Sequence, residues 1–286
     1  MTEQAILAEN LTYRYGENTA VDHISFGLAP REILGFLGPN GAGKSTTVQM
    51  LTGQRRPMDG RALVLGMDVS SKPKAIQTRI GICFEQTNLY EEMSGEANLK
   101  LFARLFGASD VDITALLERV GLNGRGRDRV ESYSKGMKQR LMVARSLVNS
   151  PDILFLDEPT AGLDPASSVK IRQVILEERE RGATVFLTTH DMVEADKLCD
   201  RVAFLDQGKI VALDSPHNLK QQYGKRMLRA EVQVDGGLEE REIVLDQVDT
   251  AKAMEDLFRQ QNVVTLHTEE ATLEDIFIRI TGRGLV

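Results

Sequence analysis

Gly38, Pro39, Asn40, Gly41, Ala42, Gly43, Lys44, Ser45 and Thr46 follow one another with the spacing G-x-x-x-x-G-K-[ST]. Gly41 and Gly43 let the backbone wrap phosphate oxygens. The helix start behind them supplies N–H groups and partial positive charge, and Lys44 reaches the β/γ-phosphates. Ser45 offers a hydroxyl to Mg²⁺, and Thr46 can add a second hydroxyl contact. A second run, ILFLDEPT, ends abruptly in Asp157 and Glu158. Acids at the C-terminal end of a strand point toward the crevice where α/β sheets bind ligands. Asp157 suits Mg²⁺ coordination, and Glu158 suits the acceptor that orients or deprotonates water. A third run, ATVFLTTH, closes on His190. Its strand is expected beside the one carrying the acids, which brings the imidazole within reach of a γ-phosphate. Asp191 and Glu194 then have the Asp-x-x-Glu spacing that opens a helix.

A fourth stretch, SYSKGMKQR from Ser132 to Arg140, opens an amphipathic helix with Met137, Leu141, Ala144 and Val148 on one face. Ser134 is a natural N-cap. Lys135 and Lys138 in the first turn oppose the helix dipole, which fits either an anion approaching that end or ordinary solvated lysines.

The elements that must carry these residues follow from periodicity. AILAENLTYRY and DHISFGLA read as opening strands, and EILGFLG, RIGICFEQ, DILFLDEP and ATVFLTTH as buried ones. Continuous apolar strands of this kind lie in a parallel sheet covered on both faces. Between about 87 and 150 the pattern turns helical, with LKLFARLFG, ITALLERVGL and KGMKQRLMVARSLV separated by Gly- and Arg-rich turns. After VALDSPHNL it resets: MLRAEVQV, REIVL and VVTLH read as strands, AKAMEDLFRQQ and TLEDIFIRI as helices. The expected division is therefore a large domain over 1–218 and a small α+β domain over 219–286. A chain of 286 residues with 42% apolar and 27% charged content can fill both without metal or disulfide staples. Cys83 and Cys199 stand far apart, outside any zinc spacing, and read as reduced core residues. No run approaches the roughly 18 uncharged apolar residues of a spanning helix. A net charge of −7 is opposite to that of a free nucleic-acid binder.

The order of these pieces, phosphate loop, Gln86 after a strand, SYSKG, LFLDEP, AGLDP and TTH, resembles the ATP-binding subunit of ABC transporters over about residues 5 to 217. The resemblance implies a P-loop NTPase of ABC type, an α/β fold with a mainly parallel core sheet, N-terminal antiparallel strands and a helical insertion. It also implies ATP and Mg²⁺ as ligands, with Tyr15 stacking on adenine, Gln86 sensing the metal and the attacking water, and Asp164 as the acid of the loop after Glu158. Ser134 and Gly136 would meet the γ-phosphate of ATP held by a second copy of the chain, giving a sandwich dimer that drives a separate membrane permease. No nucleic-acid partner is expected, and the place implied is the cytoplasmic face of the cell membrane. Tyr13 shares the strand face of Tyr15; Tyr15, next to Gly16, is preferred. Two departures stand out: the family's Leu-Ser-Gly-Gly-Gln reads Tyr133, Ser134, Lys135, Gly136, Met137, and Glu85 precedes Gln86 where Pro is common. ATLEDIFIRITG, Ala271 to Gly282, is similar to the C-terminal end of the drug, antibiotic and sodium exporter branch. A soluble ABC-type ATPase acting on DNA or the ribosome shares the same motifs. Against it stand the acidic balance, the single phosphate loop and the lack of a zinc-type Cys cluster. A catalytically dead subunit is disfavoured because Lys44, Asp157, Glu158 and His190 are all present. The surface after Gln86, with Leu89, Tyr90, Met93, Leu99, Phe102, Leu105 and Phe106, carries more apolar residues than one short helix face buries and is expected to receive the permease.

Overall fold

The apolar runs become parallel strands because each buries both of its faces. The computed structural model describes residues 4–108, 110–225, 227–234, 236–245, 249–260 and 262–284. The chain divides into two compact units between Leu213 and Asp214. The first contains β1 (Ile6–Tyr15), β2 (Asn18–Leu28), β3 (Ile33–Leu37), α1 (Lys44–Leu51), β4 (Asp59–Val64), β5 (Met67–Asp68), α2 (Pro73–Gln77) and β6 (Ile80–Cys83). It continues through α3 (Gly95–Leu105), α4 (Ile113–Arg119), α5 (Lys135–Ser146), β7 (Ile153–Asp157), α6 (Pro165–Arg181), β8 (Thr184–Thr189), α7 (Met192–Leu198), β9 (Arg201–Asp206) and β10 (Lys209–Asp214).

The central sheet has the order β10-β9-β3-β8-β7-β6. From β9 to β6 the strands run parallel, and every residue of β3, β7 and β8 is buried. The register sets Leu37 beside Thr189 and Asp157 beside Thr188, so the C-terminal ends of three strands finish level. A second sheet, β2-β1-β4-β5, is antiparallel. Aromatic rings join the two: Phe26 on β2 meets Phe36 on β3 at 4.8 Å between centroids, and Phe186 on β8 lies 4.6 Å from Phe36 and 5.7 Å from Phe155. The fold is the α/β class expected, with antiparallel N-terminal strands and a helical insertion. β4, β5, β9, β10, α2, α6 and the helix over 216–223 had no reading in the sequence; short half-polar runs such as DGRALV match neither period.

Buried Asn98 anchors the insertion. It accepts from the Tyr90 N–H at 2.9 Å and donates to the carbonyls of Tyr90 and Ser94 at 3.0 Å each, so the chain after β6 is tied to α3. Ser94 and Ser134 cap α3 and α5 by accepting from Ala97 and Met137.

The second unit comprises α8 (Pro216–Tyr223), β11 (Met227–Val234), β12 (Gly237–Val244), α9 (Thr250–Gln260), β13 (Asn262–Glu269) and α10 (Leu273–Thr281). Helix α8 packs on α10, so the division precedes that helix rather than falling at 218. The sheet order is β12-β11-β13, with Leu228, Ala230, Val232 and Leu257 in its core. Helix α10 opens on a capping box between Thr272 and Asp275 and buries Leu273, Ile276 and Phe277. Gln261, the last residue of the run read as α9, lies outside the described residues.

Phe186 is fully buried at the centre of the aromatic cluster. Phe186→Ala should therefore lower the unfolding free energy by about 3–5 kcal/mol, measured by urea titration with far-UV circular dichroism.

Candidate active site

The phosphate loop is shaped by what cannot fit beside it. A Cβ on Gly38 would meet the Leu205 carbonyl oxygen at 2.3 Å, and one on Gly43, whose φ is +104°, would meet the Ala20 carbonyl oxygen at 2.4 Å. Only glycine lets the turn close there before α1 starts. Lys44, the first residue of α1, is 6% exposed. Its Nζ donates to the Gly38 carbonyl at 2.6 Å and the Pro39 carbonyl at 3.3 Å, and lies 3.2 Å from Glu158 Oε1.

The acids sit where β7 ends. Ser45 Oγ donates to Asp157 Oδ1 at 3.2 Å, and Thr188 Oγ1 donates to the same oxygen at 2.5 Å. Thr188 also holds Glu158, whose N–H donates to the Thr188 carbonyl and hydroxyl oxygens at 3.1 Å each. That grip matters because Glu158 has φ +51°, a left-handed conformation that an L residue rarely adopts and that costs about 1–3 kcal/mol. Buried Glu158 turns Oε2 to His190 Nδ1 at 2.8 Å, while Oε1 makes no hydrogen bond and faces Lys44. Asp157 and Ser45 form an all-oxygen donor pair, which fits a hard cation such as Mg²⁺ held by few protein ligands and by phosphate. Among the described residues no cluster of three His, Cys, Asp or Glu could hold a metal by itself.

Lys44, Ser45 and Glu158 open on a cavity of about 410 Å³ lined also by Tyr15, Asn18, Ala20, Pro39, Asn40, Gly41, Gly43, Thr46 and Glu85, with Asp157 and His190 off its wall but bonded to Ser45 and Glu158. Tyr15, 43% exposed, stands at its rim with its hydroxyl 3.5 Å from Thr46 Oγ1. Tyr13 is half-buried, accepts from Arg55 Nη1 at 3.0 Å and braces Tyr15 edge-on, with centroids 5.0 Å apart. Gln86 is exposed and off the cavity wall, where Glu85 stands in its place.

Ser134, Gly136 and Asp164 are also absent from that wall. They form a second group. A Cβ on Gly136 would meet Ser167 Oγ at 2.5 Å and Asp164 Oδ2 at 3.1 Å, so the start of α5 lies flat against the start of α6. Asp164 caps α6 by accepting from the Ser167 N–H at 2.9 Å, and the Ser167 hydrogen bonds hold its carboxyl below the usual range. The lysine question divides: Lys138 pairs with Glu91 at 2.5 Å, whereas exposed Lys135 reaches over Gly162 in the loop before Asp164.

Sequence reasoning missed Thr188, Thr160 and the task of Glu194. Asp191 does cap α7, accepting from the Glu194 N–H at 2.9 Å. The reciprocal half of the expected capping box is not made, because the Glu194 carboxylate turns inward to accept from the Thr160 hydroxyl. Burial pushes that carboxyl up, with the Thr160 bond opposing. The doubled Thr before His190 was the signal for Thr188, since a residue beside Asp157 on the next strand has to face it.

A family model described as ABC transporter matches residues 21–161. The fluoroquinolones export ATP-binding protein of Mycobacterium tuberculosis is 45% identical over 99% of this chain and 95% of its own. The Nod factor export ATP-binding protein I of Paraburkholderia xenovorans is 36% identical, covering 100% of this chain and 99% of that one. The chain belongs to the ABC transporter ATP-binding proteins. It is an ABC-family ATPase, and its export relatives agree with the branch that residues 271–282 resemble. The structure of an ATP binding subunit of an ABC transporter superposes with a TM-score of 0.71 at 27% identity, over 77% of this chain and 93% of that one.

Because Thr188 is the shared donor and acceptor for both acids of this ATPase, Thr188→Val should cost about 1–3 kcal/mol of stability. Thr188→Ser should recover most of it in the same denaturant titration.

Proposed function

We propose that this ABC ATPase is the motor of an exporter: two copies clamp two MgATP head to tail and drive a separate permease from the cytoplasmic face of the cell membrane. The observation that carries the reading is the separation of the two groups of residues. Lys44, Ser45 and Glu158 line one cavity, and Asp157 and His190 are joined to them by hydrogen bonds to Ser45 and Glu158, while Ser134, Gly136 and Asp164 gather off its wall with no such bond among the described residues. A second copy would complete each site.

In this mechanism Lys44 exchanges the Gly38 and Pro39 carbonyls for the β/γ-phosphates, which are stronger acceptors for an ammonium group. Its ion pair with Glu158 loosens in the same movement, leaving Oε1 to accept from the attacking water. His190 leaves Glu158 for the γ-phosphate. Ser45 and Asp157 would hold Mg²⁺, which neutralises developing phosphate charge when bound. Gln86 would have to swing from its exposed position to reach the same ion. Tyr15, with the Arg55 guanidinium 4.9 Å from its ring centroid on one side, would stack adenine on the other.

Export through a separate permease is supported by the export roles that the relatives' names carry and by the absence, among the described residues, of any helix long and apolar enough to cross a membrane. The basic run from Arg125 to Arg140, the best residue-level support for a nucleic-acid role, offers little free charge. Arg125 pairs with Asp128 at 2.6 Å, Arg129 with Glu131 at 3.5 Å, and Arg140 donates to the carbonyls of Gly136, Val120 and Gly121. The permease would dock beside Tyr90 and Phe106. Tyr90 is 53% and Leu105 69% exposed, whereas Leu99 is buried in the insertion. Ile80, Ile82, Phe84, Phe102 and Phe106 line an adjoining groove of about 300 Å³.

Three outcomes test this. Glu158→Gln should lose about 10²–10⁴ in turnover yet bind MgATP at least as tightly as wild type, since a rival for Lys44 is gone; Lys44→Ala should lose affinity. Glu158→Gln with MgATP should sediment as a dimer, and adding Ser134→Arg should return it to monomer. Tyr90→Asp and Phe106→Asp should melt cooperatively and bind MgATP but fail to retain a multi-spanning membrane protein; retention at wild-type yield would put docking elsewhere.

A further inference from the structure

Glu194 is a buried acid to which the mechanism above gives no part. Its side chain is almost wholly enclosed on α7, Oε2 accepts from the Thr160 hydroxyl, and Oε1 lies 3.6 Å from Arg172 Nη1 on α6 without a hydrogen bond of its own. A carboxyl group is costly to bury without a partner, so this one is paired for a purpose other than solubility. A solvent-facing Glu at the same helix position would close the capping box and stay hydrated.

Position supplies the purpose. Thr160 follows Glu158 by two residues, and Glu194 follows His190 by four. Beyond the Thr188 grip on Asp157 and Glu158, the two chain segments are joined by two further side-chain links, one between His190 Nδ1 and Glu158 Oε2 at 2.8 Å and one between Thr160 and Glu194. Each segment is also stiffened internally. The Ala161 N–H donates to the Glu158 carbonyl at 3.3 Å, and the N–H groups of Asp191 and Glu194 donate to Thr189 Oγ1 and Asp191 Oδ1 at 2.9 Å each. The two links differ in what can reach them. The His190 side chain is 53% exposed, so a phosphate can compete for its ring, whereas Glu194 is only 3% exposed and its bond to Thr160 is partly buried.

We propose that Glu194, steadied by Arg172, is a positioning residue that acts through Thr160. It keeps the loop carrying Glu158 and Asp164 in register with the helix start carrying His190 when phosphate draws His190 away from Glu158. The proposal rests on the ATPase roles given to Glu158 and His190. With the outer link broken by the ligand, the backbone of Glu158 is still gripped by Thr188, and the inner link is the side-chain tie left beyond that grip to steady the carboxylate that addresses water against the imidazole that addresses the γ-phosphate. A displacement of about 1 Å there is enough to cost on the order of a hundredfold in rate.

The test uses steady-state ATPase kinetics of the full chain. Thr160→Val keeps the side-chain volume and removes the donor; its kcat should fall roughly ten- to a hundredfold, with KM for ATP and the melting midpoint close to wild type. Glu194→Gln retains an oxygen that can accept from Thr160 and should keep most of the wild-type kcat. Adding Glu194→Gln to Thr160→Val should cause no further loss, because the shared bond is already gone. Wild-type kcat in Thr160→Val, or a loss matched by a lost folded fraction, overturns the proposal. So does a Glu194→Gln enzyme as slow as Thr160→Val. Unimpaired turnover in Glu158→Gln is a different result on a different variant, and would remove the underlying ATPase assignment instead.

Discussion

A lysine ammonium enclosed at the foot of a glycine loop has to be answered by negative charge, or its burial is prohibitive. In this ATPase the answer is Glu158, 3.2 Å from Lys44 and equally enclosed. Because each group is the other's compensation, neither can be displaced unless a substitute arrives, and a polyphosphate is such a substitute. The buried pair thus makes anion recognition a condition of the fold rather than an addition to it. The surrounding glycines, the fully buried strands and the level ending of β3, β8 and β7 all serve to hold these two charges together out of water.

The same register limits what one copy can do. Adjacent parallel strands deliver Asp157, Glu158, Thr188 and His190 to one edge of the sheet, but the start of α5 packs on the start of α6 and leaves Ser134 off that edge. Parallel strands return their functional ends to one side, and in the mechanism proposed above the remaining donors come from the matching surface of a second copy.

Much of this was legible in the sequence because the signals are local. The phosphate loop, the acid pair and the strand-ending histidine each combine a spacing with a flanking apolar run, and a run of ILFLD can hardly be anything but a buried strand. What escaped depended on neighbours brought in by topology. Thr188 is important only because β8 lies beside β7, and Glu194 turns inward only because Thr160 waits there, so a motif that looked like a capping box was opened by tertiary competition. Gln86 and Glu85 exchanged places for a related reason: strand β6 ends at Cys83, before either, and the irregular chain after it is directed by Asn98 rather than by strand alternation. Lys138 illustrates the reverse, since its apparent anion site is satisfied by Glu91 from a loop with no periodic signal.

The two cysteines carry one last implication. Both are buried; Cys83 has its thiol pushed up to about 12 by desolvation, and Cys199 is raised for the same reason. Oxidants and alkylating agents attack the thiolate, and at neutral pH neither sulfur supplies it. Folded, the chain therefore offers thiol oxidants and alkylating agents no ready cysteine, and any oxidative damage has to enter through other side chains such as exposed Met58.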